Sequence, residues 1–168
     1  MAGDSSRVNE TRRVTKVIRA VKGDLKTRQV FYPDWIVSKN PLMTTGVILC
    51  NTVVLLNHQY AMLSHFSNLK DQDLRRELDA ERPYLEQILD RFTRKFGPDF
   101  RAVLVGGEEK HFSFNEGILA DRKIPIVARY HDMKFGDDYH HKDVYVIPAT
   151  GEVALRSTRP RKSVLLAG

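Results

Sequence analysis

The chain of 168 residues has one cysteine, Cys50, and a histidine, His65, fifteen positions later. A thiol and an imidazole within contact distance exchange a proton, giving a thiolate nucleophile and a base for acyl transfer. The intervening sequence supplies a reason for contact. Residues 43–68 read MTTGVILCNTVVLLNHQYAMLSHFSN, two apolar runs joined by Asn57-His58. β-Branched and aliphatic residues on both sides of a short polar break predict a hairpin. With the turn centred on Asn57-His58, Leu56 faces Gln59 and Cys50 faces His65, whether the loop has two residues or four. Directly opposed side chains share a face, with Cβ atoms about 4.5–5.5 Å apart. The competing reading of Cys50 is a small buried hydrophobe among Val and Leu neighbours.

Positioning this pair falls to the elements around the hairpin. Residues 1–13 read as disordered, and residues 14–25 as a short helix or a strand, with Val14, Val17, Ile18 and Val21 on one helical face. Residues 29–38 have strand composition broken by Pro33, and Trp35 reads as core or as a lid over a groove. Residues 69–96 are helical in character. Pro83 interrupts them or starts a second helix, whose apolar face is Leu85, Ile88, Leu89 and Phe92. Residues 101–105 predict a buried strand ended by Gly106-Gly107, which either turn the chain or let a substrate backbone approach. Asn115 is placed to cap a short helix over 116–121. Residues 124–130, 143–147 and 152–156 predict further strands. Hairpin-rich strands mixed with two or three helices predict an α+β fold.

Net charge is +6, and it is unevenly placed. Residues 1–28 hold eight Lys/Arg against three acids, and residues 156–168 hold four Lys/Arg and no acid, so residues 29–155 carry −3. This predicts a basic, partly disordered N-terminal arm over 1–27 and a basic C-terminal tail over 157–168. Neither arm interleaves aromatics with its charges, which weighs against single-stranded nucleic acid as a partner. One cysteine excludes an internal disulfide and suits a reducing compartment. No run approaches the roughly 18 apolar residues of a membrane span, and residues 1–13 lack the apolar core of a secretory signal, so a cytoplasmic location is expected. His131, Asp132, Asp137, Asp138, His140 and His141 lie close in sequence without metal-ligand spacing. A solvated loop is the expectation there, with no metal and no cofactor.

The central stretch resembles the core motif of the chemoreceptor glutamine deamidases, the CheD family. There a threonine stands six residues before the nucleophilic cysteine, and a second strand ends in an Ala-Met-x-x-His-like segment. Thr44 stands six residues before Cys50, and Ala61-Met62-Leu63-Ser64-His65 supplies the histidine. Val105-Gly106-Gly107 and Ala149-Thr150-Gly151 extend the likeness over residues 28–156. The chain departs from the family in reading Ile48-Leu49-Cys50 for the usual Gly-Ser-Cys, and Phe66-Ser67-Asn68 for the usual Leu-Pro, so it resembles a divergent member. The likeness implies a central β-sandwich of mixed sheets flanked by helices, in a bacterial chemotaxis protein. It implies hydrolysis of a protein glutamine side chain to glutamate by a Cys50-His65-Thr44 triad, with Gly106 and Gly107 beside the substrate. Methyl-accepting receptor helices are the implied substrate and a CheC-like protein the implied regulator. The alternative from another class is a non-catalytic module of the same fold, whose basic arms contact an acidic partner.

The triad sets a geometric demand. Six residues of straight strand span about 20 Å, so Thr44 reaches a histidine near Cys50 only if the chain bends near Gly46, where glycine permits unusual backbone angles. Thr45 is the alternative if the bend lies elsewhere. On spacing alone, a structural and a catalytic threonine remain equal readings.

Overall fold

Two five-stranded sheets and three helices make up the layers of the fold. The computed structural model describes residues 4–66, 82–131, 141–158 and 161–168. Among them the order is α1 (Asp4–Gly23), β1 (Arg28–Val30), β2 (Trp35–Ser38), β3 (Leu42–Val47), β4 (Thr52–Leu56), β5 (Ala61–Ser64), α2 (Tyr84–Phe96), β6 (Arg101–Val105), α3 (Glu109–Asp121), β7 (Ile126–Tyr130), β8 (Lys142–Ile147), β9 (Glu152–Thr158) and β10 (Arg161–Ala167). The class is α+β. One five-stranded sheet has the order β1-β3-β8-β9-β10 and the other β2-β5-β4-β6-β7. Each is mixed, with one parallel pair, β1 with β3 and β6 with β7.

The sheets face each other across an apolar layer. Leu42, Val144, Val146, Val153 and Leu155 of the first sheet meet Val54, Leu56, Leu63, Val103 and Val105 of the second. All ten are buried, and each such side chain contributes about 1.5–3 kcal/mol on leaving water. The outer face of the second sheet carries Val53, Leu55, Met62 and Leu104, covered by Leu85, Ile88, Leu89 and Phe92 of α2 and by Phe112 and Leu119 of α3. Pro83 is the N-cap of α2, and the N–H of Gly97 closes it on the Thr93 carbonyl. Trp35 belongs to this core, with the Arg91 guanidinium 6.0 Å from its ring centroid.

Three expectations are corrected. Residues 4–23 form a helix, not a partly disordered arm. Its Val14, Val17 and Val21 are buried on Tyr145 and Ala154, the outward face of the first sheet. The C-terminal tail is also structured, because β10 pairs antiparallel with β9. Asn115 caps nothing: α3 begins at Glu109, and Asn115 sits buried within it beside Phe112, Ile118 and Leu119. The spacing of those four residues is one helical face, and it outweighs the capping preference of a lone Asn. The expected helical stretch at 69–81, with Leu74 and Leu78, lies outside the described residues, as do Asp132, Asp137, Asp138 and His140. Among the described residues no group of His, Cys, Asp and Glu is arranged to hold a metal, and no helix is long and apolar enough to cross a membrane.

Candidate active site

The hairpin exists with a different register from the expected one. Leu56 pairs with Ala61, Leu55 with Met62 and Val54 with Leu63. The loop is therefore Asn57–Tyr60, pinned by the Asn57 side-chain oxygen, which accepts from the N–H groups of Gln59 and Tyr60 at 2.9 and 2.7 Å. This Asx turn displaces the pairing by two residues. A displacement of one would have turned His65 to the opposite face; a displacement of two keeps every residue on its face. Direct opposition of Cys50 and His65 is thereby corrected to a diagonal relation. Asn51 and Phe66 are the bridged pair, with Asn51 N–H donating to Phe66 O at 2.7 Å and Phe66 N–H to Asn51 O at 3.1 Å. Cys50 and His65 each stand one residue from that bridge, at the end of the hairpin remote from its turn.

His65 is held on three sides. Its N–H donates to Asp34 O at 2.9 Å. Its ring meets the edge of Tyr32, centroids 5.9 Å apart. Its Nδ1 lies 2.8 Å from Thr44 Oγ1. Thr44 Oγ1 also donates to Val30 O at 2.8 Å. A hydroxyl has one proton, and here it is spent on Val30, so the imidazole is the donor in the Thr44 bond. The proton on Nδ1 leaves Nε2 with its lone pair, the form a general base requires. Burial lowers the pKa of His65 from 6.5 to about 4, so the ring is neutral at neutral pH.

Thr44 reaches His65 because β3 and β4 belong to different sheets. The chain leaves the first sheet after Val47 and enters the second at Thr52, so the Thr44–His65 bond spans the two. The expected bend is present. Gly46 has φ +72°, and the β3–β8 register shifts between Thr44 and Val47. Gly46 N–H donates to Asp143 Oδ1 at 3.3 Å, and Asp143 is itself held by Arg156 at 2.7 Å. Thr45 is exposed, which removes it as the alternative.

Cys50 is half-buried in the bend between the sheets. Its neighbours on either side are fixed by backbone bonds, Leu49 O accepting from Glu108 N–H at 3.1 Å and Asn51 as described. Gly106 and Gly107 pack against this bend with φ of +66° and +89°. A Cβ on Gly106 would stand 2.7 Å from Lys142 Cε and 3.5 Å from Cys50 O; one on Gly107 would stand 1.8 Å from Asn51 Oδ1. Side chains at both positions are excluded by sterics as well as by backbone angle. The amide atoms of Asn51 are buried and find no hydrogen-bond partner among the described residues. The N-terminus of α3 follows at Glu109, so the positive end of its dipole is anchored to the residue before the thiol. His58 lies at the opposite end of the hairpin, exposed and 3.2 Å from an exposed Asp99.

Sequence reasoning missed three participants. The Val30 carbonyl has no side-chain signature. Tyr32 gave no signal beyond being aromatic beside Pro33. Lys142 did give one, since it shares parity with Val144 and Val146 in β8 and so belongs to the inner face. In comparisons with known proteins, no family model matches the chain, and no curated protein matches it.

Proposed function

We propose that the protein is a cysteine amide hydrolase that converts protein glutamine side chains to glutamate, as the chemoreceptor deamidases do. The observation that carries the reading is the Val30–Thr44–His65 chain of hydrogen bonds. It builds an oriented imidazole with a free Nε2 at the end of the hairpin that bears the only cysteine.

The chemistry follows from this arrangement. His65 Nε2 takes the Cys50 thiol proton, and the thiolate attacks the carboxamide carbon. Backbone N–H groups of the Cys50 bend hold the oxyanion. The C–N bond breaks as His65 returns its proton to the leaving nitrogen, releasing ammonia and a thioester. Water, deprotonated by His65, attacks the thioester; the carboxylate leaves and the thiol is restored. Thr44 keeps the ring in place throughout by accepting from Nδ1–H. The glycine pair lets the side chains of Lys142 and Asn51 pack against the bend that carries Cys50.

Incubation of the full chain with a glutamine-bearing receptor helix should release ammonia and convert Gln to Glu, detected by mass. Cys50→Ser and His65→Ala should abolish both. Release that persists in Cys50→Ser would refute the reading. A second reading, a non-catalytic module that holds an acidic partner, is favoured by one observation: Arg12, Lys16 and Arg19 of α1 line a surface groove of about 330 Å³. Under that reading, retention on heparin falls when these three are replaced by Gln, and no variant of Cys50 alters any activity.

A further inference from the structure

A buried lysine that the chemistry above leaves unused lies in the same layer of the fold. Lys142 has no exposed surface. It opens β8 opposite Val47 on one side and Ser157 on the other. Its parity is that of Val144 and Val146, so it points between the sheets, the layer in which Thr44 meets His65. The position where a Gly106 Cβ would sit is 2.7 Å from Lys142 Cε and 3.5 Å from the Cys50 carbonyl oxygen. Lys142 Cε and the Cys50 carbonyl thus border the same small space, and the glycine at 106 is what leaves it open to the lysine side chain.

Placing a cation there has a cost. An ammonium taken out of water loses several kcal/mol of hydration unless polar or negative groups surround it. A fold that only needed to fill this space would do so at lower cost with Met or Leu. The other charged and titratable groups nearby are differently disposed. Asp143, Arg156 and Tyr145 form a network of their own on alternate positions of the strands. His131 is bonded to Gly107 O at 3.1 Å, and His141 is exposed. His65 is held neutral by its burial, so it offers the thiolate no standing positive charge.

We propose that Lys142 is a positioning residue of the Cys50 site, whose buried ammonium supplies the positive charge that favours the thiolate. The inference rests on the reading of Cys50 as nucleophile. It adds to that reading a residue that works through the thiol and touches no substrate. Opposite charge within about 4–6 Å favours an ionised group by about 1–3 pH units.

The test is the pH dependence of Cys50 alkylation by iodoacetamide in the full chain, for wild type, Lys142→Met and Lys142→Arg. Wild type should titrate below the ordinary thiol midpoint of roughly 8.5. Lys142→Met should raise the midpoint by about one unit or more, and Lys142→Arg should keep it within about half a unit of wild type. A filler role would lower the melting temperature of Lys142→Met and leave the midpoint where it was. A second measurement needs no folded Lys142→Met. In wild type with ¹³Cε-labelled lysine, the Lys142 signal should move through the pH range in which the thiol titrates, and stay still there in Cys50→Ser. A depressed wild-type midpoint that Lys142→Met leaves in place, or a Lys142 signal flat through the thiol titration, overturns this inference alone. A wild-type midpoint at the ordinary value overturns the nucleophile reading and this inference together.

Discussion

A threonine hydroxyl has one proton to give, and Thr44 gives it to Val30 O. Everything asked of His65 follows from that. Thr44→Val removes the acceptor and leaves a buried imidazole N–H without a partner, a loss of about 1–3 kcal/mol. Urea denaturation should show that loss, and Thr44→Ser should recover most of it. Acid stability carries a second signature. The folded pKa of His65 is lowered from 6.5 to about 4 by burial, so the unfolded chain takes up the proton first as the pH falls. Stability from the neutral ring is therefore whole above pH 6.5, declines between 6.5 and about 4, and is gone below. Between pH 7 and pH 5 the wild type should lose roughly 2 kcal/mol more than His65→Gln; equal losses would show that the ring is solvated. The residue types of the pair were legible in the sequence because thiol and imidazole are rare and chemically distinct. The acceptor that fixes the tautomer was not, because a carbonyl of β1 carries no letter of its own.

At the scale of elements, two apolar runs on either side of a polar break made the hairpin legible, while the turn chemistry that sets the register was misjudged. Asn57 closes the loop through its own side chain, and that displaced every pair by two. The face of each residue survived because two is the strand period. The bend at Gly46 was legible only through the triad that the resemblance implied, whose members a straight strand would hold too far apart. The length of α3 was not, because Asn115 has a strong local preference for caps and the tertiary burial of its face overrode it. Gly107 offers a test of how tightly the bend at Cys50 is held. An alanine there would place its Cβ 1.8 Å from Asn51 Oδ1, at φ +89°. Gly107→Ala should cost about 1–3 kcal/mol and slow alkylation of Cys50 by shifting its neighbour Asn51. Glu108→Ala, next in the chain and exposed, should alter stability by no more than about 0.5 kcal/mol.

At the scale of the molecule, the two sheets are what bring the site together: Thr44 is given by one and His65 by the other. The α+β class was legible, since buried strands and amphipathic helices differ in period, whereas the two facing sheets were an expectation of the resemblance alone. The apolar stripe of the N-terminal segment was legible as a helical face, but the charge around it was read as a solvated arm. Val14, Val17 and Val21 are enough to seat α1 on Tyr145 and Ala154, while Arg12, Arg13 and Arg19 on the other face are exposed. Removing residues 1–23 should accordingly lower the melting temperature by more than about 5 °C, given the area uncovered. A chain lacking them that melts with wild type would show that the helix contributes nothing to the core.

The proposal that Cys50 and His65 act as a proton-sharing pair is tested most directly without any substrate, by alkylation of Cys50 with iodoacetamide near pH 7 in wild type, His65→Ala and His58→Ala. Wild type should react much faster than a free model thiol, because the neutral His65 imidazole takes the thiol proton as sulfur attacks. His65→Ala should lose that advantage. His58→Ala should keep it, because His58 is exposed at the far end of the hairpin and its contact with Asp99 is solvated. If the wild-type thiol reacts only in denaturant, or if His58→Ala slows it while His65→Ala does not, the pairing is contradicted and the deamidase proposal falls with it.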